Sequence, residues 1–318
     1  MNVENKLTIG LPVYNGENFL ASTLESLLNQ TFKDFILIIS DNASTDKTKN
    51  ICKEYAQRDS RIRYVQNKFN IGPANNFQKV LKMSNTQYFM WAAHDDLREP
   101  TFIEDLMSVL EKNHNIILAS SNFDFIDNKG HQLKSNNLVF FCFNTQTDLF
   151  KILKNSIHNN MAMMIYGIYR TSVLKKMGGL PFNTPGTYGF DGLFLLKLCF
   201  FGKFHFYPKV LFHKRRDINS KKNSLINRLT STFKTIRFKL YGDSIYRHLQ
   251  RKIILKQKIS IHKKIVLFYE TCIAQVYSYL VITIEILNKM MMRIRKNSKA
   301  NIKLNKFFDK FFLKEHIL

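Results

Sequence analysis

The sequence has little cysteine and no leader-like segment at its start. Four cysteines occur in 318 residues, and no two form a Cys-x-x-Cys pair: Cys52, Cys142, Cys199 and Cys272. Their wide spacing argues against a zinc site or a disulfide framework and suits a reducing cytosol. Met1 to Lys6 is polar, and the apolar run that follows is short and broken by Pro12. We therefore expect no secretory signal peptide.

Acidic residues are scarce in the last third of the chain. Residues 203–318 have 27 lysines and arginines against 6 aspartates and glutamates, whereas residues 1–202 have 21 against 18. The two parts sum to the 48 basic and 24 acidic side chains of the whole chain, so its net charge of +24 belongs almost wholly to the C-terminal third. The charge distribution predicts a balanced soluble domain over residues 1–216 and a basic extension over 217–318, suited to an anionic surface.

Short apolar runs alternate with helix-type spacing through the first 100 residues. The predicted strands are Lys6–Leu11, Phe35–Ile39, Arg61–Gln66 and Tyr88–Ala93. This β-α alternation with short connections predicts a parallel sheet with right-handed crossovers. We therefore expect an α/β fold for this part of the chain.

Polar residues follow three of these strands, at Pro12–Asn15, Asp41-Asn42 and His94-Asp95-Asp96. Taken alone, the Asp-Asp pair is compatible with a solvated turn before a helix that Asp96 or Glu99 caps. However, the carboxyl ends of parallel strands share one edge of a sheet, where open α/β sheets bind ligands. Adjacent carboxylates also repel each other unless a cation or hydrogen-bond donors compensate them. Three polar strand ends at one edge therefore predict a binding site.

The chain beyond residue 100 is less regular. We predict a helix over Pro100–Lys112, a strand over Ile116–Ser120, a hairpin over Asn122–Asn144, a strand over Met161–Tyr169, a helix over Gly192–Phe201 that Asp191 opens, and a last strand over Phe204–Phe212. A basic segment, His213-Lys214-Arg215-Arg216, follows that strand.

Five segments resemble the motifs of the family 2 glycosyltransferases, which have the GT-A fold. They occur in the family's order and spacing over residues 6–216: Pro12-Val13-Tyr14-Asn15-Gly16-Glu17, Ser40-Asp41-Asn42-Ala43-Ser44-Thr45-Asp46, Asn70-Ile71-Gly72, His94-Asp95-Asp96, and Phe190-Asp191 ahead of a helix. The resemblance implies an α/β, Rossmann-like GT-A domain over 1–216, in which helices flank a mixed, mostly parallel sheet. Its nucleotide-sugar-binding half would be 1–121 and its acceptor half 122–216. It also implies a nucleotide-sugar donor, most simply a UDP- or dTDP-sugar, and a divalent metal, Mn²⁺ or Mg²⁺.

The resemblance divides the aspartate pair between two roles. Asp96 corresponds to the family's metal-binding aspartate, and Asp95 would accept hydrogen bonds from the ribose. Mg²⁺ and Mn²⁺ are usually held by one or two carboxylates together with phosphate oxygens. The family often has a further aspartate just upstream, where this chain has Ala93 or His94.

Five other residues correspond to donor-binding positions. Asp41 would bond the edge of the base, Tyr14 would flank the base and Pro12 would line the same site. Asn70 and Gly72 would allow the backbone to approach the base or ribose closely. From the residues alone, Asp41 is also compatible with a helix-entry cap, Tyr14 with a core aromatic, and the Asn70–Gly72 segment with an ordinary turn.

Asp191 corresponds to the family's general base. A carboxylate within hydrogen-bond reach can deprotonate the sugar hydroxyl that attacks the anomeric carbon. From the residue alone, Asp191 is also compatible with the N-cap of the helix that follows, and one aspartate can act as both cap and base. The resemblance implies inversion at the anomeric carbon.

One motif of the family's processive members is missing. Those enzymes have Gln-x-x-Arg-Trp beyond the base, but Trp91 is the only tryptophan here. The absence favours transfer of one sugar at a time. His213 and Arg215 lie at about the corresponding place, where they would contact the diphosphate or metal, or else belong to a solvated basic loop.

The basic extension admits three interpretations. Fifteen of the twenty residues in Ile265–Ile284 are apolar, and lysines precede them. We favour a helix that lies in the membrane interface. A helical hairpin packed on the catalytic domain or on a second copy is the second choice, and a membrane span is the third. An interfacial helix would place the enzyme in the cytoplasm, peripheral at the inner face of the plasma membrane, next to glycan or lipid-linked acceptors.

Two competing classes of protein remain. The pI near 9.8 permits a nucleic-acid binder, but the basic third has no recognisable reader motif, so we expect no nucleic-acid partner. A nucleotidyltransferase is the nearer rival. That class typically has a Gly-rich, basic loop after the first strand, whereas Pro12–Glu17 has one glycine and no basic residue.

Overall fold

The computed structural model describes residues 5–133, 162–180, 190–216, 246–276 and 278–279. Its first half alternates strands with helices, as the apolar pattern predicts. The strands are β1 (Leu7–Val13), β2 (Phe35–Asp41), β3 (Ile62–Gln66) and β4 (Tyr88–Trp91), and the helices between them are α1 (Leu20–Leu28), α2 (Thr48–Arg58) and α3 (Pro73–Lys82).

The elements after β4 are shorter and more varied. They are β5 (Leu97–Arg98), α4 (Phe102–Lys112), β6 (Ile116–Ile126), a 3₁₀ helix (Ala162–Tyr166), β7 (Ile168–Arg170), α5 (Thr171–Met177), α6 (Phe190–Leu198) and β8 (Lys203–Arg215). Two helices of the basic extension follow, α7 at residues 246–255 and α8 at residues 261–276.

Eight strands form one sheet in the order β3-β2-β1-β4-β7-β6-β8-β5. The first four are parallel, β7 is antiparallel to both of its neighbours, β8 is parallel to β6, and β5 is antiparallel to β8. The predicted α/β fold with a mixed, mostly parallel sheet is therefore confirmed. The chain steps from β1 outward to β3 and then returns to the other side of β1 as β4. Such a switch point opens a crevice beyond the carboxyl ends of β1 and β4.

Apolar layers cover both faces of the sheet. Tyr88 and Met90 of β4 belong to the layer that includes α1 and α4, and the alternate residues Phe89 and Trp91 belong to the layer that includes α6. This assignment to opposite layers follows from the two-residue period of a strand. The extension joins the second layer through Ile254, Leu267 and Ala274, so α7 and α8 pack on the same side as α6.

Two predictions about the middle of the chain need correction. The Met161–Tyr169 run is not one strand, because it divides into the 3₁₀ helix and β7. An apolar run without alternation is compatible with either a strand or a helix. In the structure, the Tyr169 hydroxyl donates to the carbonyls of Met164 and Ile165 in the short helix. β6 continues to Ile126, past the predicted end at Ser120. A turn at residues 127–130 follows β6 as predicted, and residues 134–144 of the expected hairpin lie outside the described residues.

The described part of the basic extension is helical. Helix α8 contains the first twelve residues of the apolar segment Ile265–Ile284, and residues 277 and 280–284 lie outside the described residues. Within the described ranges, no helix is long and apolar enough to cross a bilayer.

Candidate active site

The loop after β1 is tied to the loop after β2. Asn15 N donates to Ser44 Oγ at 2.9 Å, and Gly16 N donates to Thr48 Oγ1 at 2.8 Å. Asn15 has a φ of 51°, in the left-handed region that asparagine tolerates better than most residues. These bonds leave the ring of Tyr14 44% exposed at the crevice, while Pro12 is buried in β1. Tyr14 is therefore not a core aromatic.

Asp41 ends β2 with a fully buried carboxylate. Its Oδ1 accepts a hydrogen bond from Ser44 N at 2.9 Å, and its Oδ2 accepts from Tyr64 Oη at 2.9 Å and from Gln66 Nε2 at 3.1 Å. Burial, with Asp41 beside it, raises the pKa of Tyr64 well above its ordinary value, so this hydroxyl stays a donor. Asp41 thus holds the turn before α2 and the end of β3 together.

A network of asparagine side chains positions the loop before α3. Asn42 Nδ2 donates to Asn70 Oδ1 at 2.8 Å, and the Asn42 amide oxygen accepts from Asn67 Nδ2 at 2.9 Å. Asn70 Oδ1 also accepts from the backbone N–H of Gly72, whose φ is 81°. Asn70 and Gly72 therefore lie beside the end of β2, and their predicted approach to the base or ribose stays a prediction. Sequence reasoning missed Asn67, and the only signal for it was its position directly after a strand.

The two adjacent aspartates have different environments. The Asp96 side chain has no exposed surface, and its two oxygens accept from Lys214 Nζ and from Arg215 N, each at 3.0 Å. Burial raises the pKa of Asp96, although the nearby Lys214 ammonium opposes that shift. The Asp95 side chain is 32% exposed, and its Oδ1 lies 4.0 Å from Lys214 Nζ. Asp96 fastens the end of β8, and Asp95 is the more exposed of the two carboxylates.

Lys214 was not singled out from the sequence. Its ammonium lies 5.4 Å from the centroid of the Tyr166 ring and between the two aspartates. Burial alone would lower the pKa of Lys214, but Tyr166, Asp96 and Asp95 together raise it, so the ammonium stays charged. The only signal for Lys214 in the sequence was its place in the His213–Arg216 segment, because its partner lies 118 residues away. Lys214 puts a fixed positive charge beside the exposed carboxylate.

His213 and Arg215 lie within β8 rather than in a loop after it. His213 Nδ1 is 2.6 Å from Asp124 Oδ1, and its Nε2 is 3.0 Å from Glu99 Oε1. The Arg215 guanidinium donates to the Asp95 carbonyl at 2.8 Å and to the Asp127 carbonyl at 2.7 Å, and it is almost completely buried. The interpretation of these residues as a solvated loop is therefore wrong. In this arrangement both side chains contact protein groups and hold the backbone around the aspartate pair.

The aspartate pair fits a metal that the donor helps to hold. Among the described residues, no three His, Cys, Asp or Glu side chains are placed to bind a metal by themselves. A site made of one carboxylate and substrate phosphates needs no such cluster. Because Lys214 and Arg215 occupy both oxygens of Asp96, the exposed carboxylate of Asp95 suits this role better in the present arrangement.

Asp191 lies in the first turn of α6, which belongs to the apolar layer that contains Phe89 and Trp91 of β4. Its Oδ1 accepts from Gly192 N at 3.0 Å, and burial raises its pKa. Phe194, one turn farther along, packs edge-to-face on Trp91 at 5.6 Å between ring centroids. Since Trp91 is the last residue of β4 and Asp95 follows it closely, both candidate carboxylates belong to elements that meet at the end of this strand.

A family model identifies the chain. The model described as Glycosyl transferase family 2 matches residues 8–178, more than half of the sequence. The chain belongs to this family. The predicted resemblance is confirmed, and the protein is a family 2 glycosyltransferase.

Two relatives illustrate the sequence similarity. An uncharacterized glycosyltransferase of Haemophilus influenzae is 28% identical over 255 residues, which cover 77% of this chain and 69% of the relative. The uncharacterized glycosyltransferase MJ1057 of Methanocaldococcus jannaschii is 30% identical over 173 residues, which cover 54% of this chain and 58% of the relative. The match to MJ1057 leaves a large part of both chains unaligned.

Solved structures support the GT-A type of fold. S. aureus TarS 1–349 in complex with UDP-GlcNAc has a TM-score of 0.61 at 18% identity, covering 84% of this family 2 chain and 71% of the TarS chain. The mannosyltransferase PcManGT from Pyrobaculum calidifontis, in complex with GDP-Man and Mn²⁺, has a TM-score of 0.53 at 12% identity, covering 92% and 81%. At these identities the likeness concerns the fold.

Proposed function

We propose that this family 2 glycosyltransferase moves a single sugar from a nucleoside-diphosphate donor to a hydroxyl group of a glycan or lipid-linked acceptor. The observation that carries the proposal is the crevice at the end of β1 and β4. It has the exposed ring of Tyr14, the exposed carboxylate of Asp95 and the ammonium of Lys214. An aromatic face suits a base, and a cation next to a carboxylate suits a metal-bound diphosphate.

The donor site would be formed by the residues that the family motifs indicate. Tyr14 flanks the base and Pro12 lines the site, and Asp41 with Asn70 and Gly72 borders the base and ribose. The UDP-GlcNAc bound to TarS and the GDP-Man bound to PcManGT support a nucleotide sugar as the donor class. Within that class we favour UDP- or dTDP-sugars and transfer of the hexosyl type.

A divalent metal, Mn²⁺ or Mg²⁺, would be held at the mouth of the crevice. The sequence motif favours Asp96 as its ligand and Asp95 as the ribose contact, whereas the contacts favour Asp95 as the ligand, with Asp96 fixing Lys214 beneath it. We adopt the second assignment. A bound metal would neutralise charge on the departing diphosphate. The Mn²⁺ in PcManGT supports this type of cofactor.

Asp191 would act as the general base. Its carboxylate would accept the proton of the acceptor hydroxyl as that oxygen attacks the anomeric carbon, and single displacement inverts the configuration. Burial raises the pKa of Asp191, which brings the proton affinity of this base closer to what catalysis near neutral pH requires. Residues 1–121 would bind the donor, residues 122–216 the acceptor, and residues 217–318 would form a basic extension at the inner face of the plasma membrane.

A panel of nucleotide sugars tests the donor assignment. UDP-, dTDP- and GDP-sugars are added with and without MnCl₂, and the melting temperature is recorded. A true donor binds the folded state and raises the melting temperature, more so with manganese, whereas the matching nucleoside without phosphates gives little shift. If no nucleotide sugar shifts the melting temperature while the wild-type chain is folded, the donor proposal fails.

A further inference from the structure

Helix α8 has a second apolar face that points away from the protein core. Its inner face packs into the core through Leu267 and Ala274. Six large apolar side chains on the rest of the helix are between 40% and 71% exposed: Ile261, Ile265, Phe268, Tyr269, Ile273 and Val276. A surface helix ordinarily has polar residues opposite its core-facing stripe. We call these six residues the outer stripe.

The outer stripe is continuous rather than scattered. At 100° per residue, its six positions fall within about 140° of the helix circumference. The guanidinium of Arg251, on α7, lies 5.7 Å from the centroid of the Phe268 ring and adds a cation at the edge of the stripe. Single exposed apolar residues are common on proteins, but contiguous ones mark an interaction surface.

The positive charge around the outer stripe indicates what kind of surface binds it. Exposed lysines occur on α7, on the α7–α8 connection and on the first turn of α8: Lys252, Lys256, Lys258 and Lys263. Glu270 is the only acidic residue in 246–276. A second copy of this chain would bring two basic rims together, which is unfavourable. An anionic lipid surface accepts both the apolar stripe and the basic rim.

We propose that α8 lies in the headgroup region of an anionic bilayer, with the outer stripe in contact with the acyl-chain boundary. The inner face of the same helix belongs to the core layer that contains Phe194 of α6, and Asp191 lies in the first turn of α6. The bilayer would therefore lie on the side of the molecule that holds the candidate base. This last step, which favours a lipid-linked acceptor, depends on the proposed function, whereas membrane binding itself does not.

Vesicle co-sedimentation of the full chain tests the proposal. The vesicles are phosphatidylcholine with or without phosphatidylglycerol, and the variant is Ile265→Ser/Phe268→Ser, which removes apolar surface at unchanged net charge. We expect wild-type protein to bind the anionic vesicles, and the variant to bind them on the order of tenfold or more weakly with an unchanged melting temperature. Phe69→Ser is the matched control, because Phe69 is 69% exposed but lies outside the extension.

A tryptophan introduced on the outer stripe reports how deeply α8 enters the bilayer. Trp91 is completely buried, so a Phe268→Trp variant adds the only exposed indole. Its emission is expected to shift to the blue on addition of anionic vesicles. Equal vesicle binding by wild type and the serine variant would overturn the proposal, because charge alone would then explain attachment. A wild-type dimer that the serine substitutions convert to a monomer in light scattering, with no vesicle binding, would assign the stripe to a second copy instead.

Discussion

Lys214 Nζ lies 3.0 Å from Asp96 Oδ2, and the Asp96 side chain has no exposed surface. This pair joins β8 to the chain just after β4. The end of β8 and the segment after β4 are thus coupled to each other before any ligand is considered. Removing one partner of a buried ion pair leaves the other charge uncompensated, which is far more destabilising than the loss of an exposed pair.

Lys214→Met is therefore expected to lower the free energy of unfolding by about 3 kcal/mol. The double variant Lys214→Met/Asp96→Asn should lose less than the sum of the two single changes, because the uncompensated charge is gone. Urea unfolding measures both. Lys6→Met is the matched control, since Lys6 pairs with Glu111 at the surface and its loss should change stability little. Additive effects of Lys214→Met and Asp96→Asn would contradict the pairing.

Substitution of the two aspartates is expected to affect Mn²⁺-dependent donor binding differently. Asp95→Asn should remove the Mn²⁺-dependent part of nucleotide-sugar binding and leave the melting temperature of the ligand-free protein nearly unchanged, because Asp95 is partly exposed. Asp96→Asn should lower that melting temperature and retain the dependence on Mn²⁺. Calorimetric titration of the donor with and without Mn²⁺ distinguishes them. If a folded Asp96→Asn protein loses the Mn²⁺ dependence and Asp95→Asn keeps it, the motif-based assignment to Asp96 is correct.

The strand ends were predictable from sequence because strand period and short connections are local properties. An apolar run of a parallel sheet precedes each of Pro12–Asn15, Asp41-Asn42 and His94-Asp95-Asp96, so their meeting at one edge required no knowledge of side-chain contacts. The burial of Asp96 was not predictable, because it depends on Lys214 and Arg215, more than 100 residues away. Likewise, nothing in the Met161–Tyr169 run indicated the change from 3₁₀ helix to strand that places Tyr166 beside Lys214.

Asp191→Asn is expected to reduce sugar transfer by about 10²–10⁴-fold while donor binding stays intact. In wild-type protein the transfer rate should fall as the pH drops through the pKa of Asp191, because the base must be deprotonated. Burial raises that pKa, so this acid limb should lie above the pH at which an ordinary aspartate titrates. The dependence of kcat on pH, measured with a saturating donor, tests the position of this acid limb. Full turnover by Asp191→Asn would exclude Asp191 as the base.

The same substitution should stabilise the fold at neutral pH. A carboxyl whose pKa is raised on folding stabilises the folded state only at low pH, and that contribution is lost as the pH rises through the raised pKa. At neutral pH the buried charge of Asp191 is therefore a cost that asparagine lacks. We expect Asp191→Asn to raise the melting temperature by about 2–4 °C at pH 7, and by less near pH 4. An equal rise at both pH values would mean that ionisation is not the cause.

Gly192 connects the candidate base to the basic extension. A β-carbon at Gly192 would lie 2.5 Å from the hydroxyl oxygen of Tyr246, on α7. Because that oxygen ends a flexible side chain, we expect Gly192→Ala to fold but to shift the turn that holds Asp191, lowering kcat by about tenfold or more with the donor KM unchanged. Adding Tyr246→Phe removes the clashing atom and should restore most of the rate, with Tyr246→Phe alone as the control. If Gly192→Ala/Tyr246→Phe turns over as slowly as Gly192→Ala while Tyr246→Phe alone is active, contact with α7 does not position Asp191.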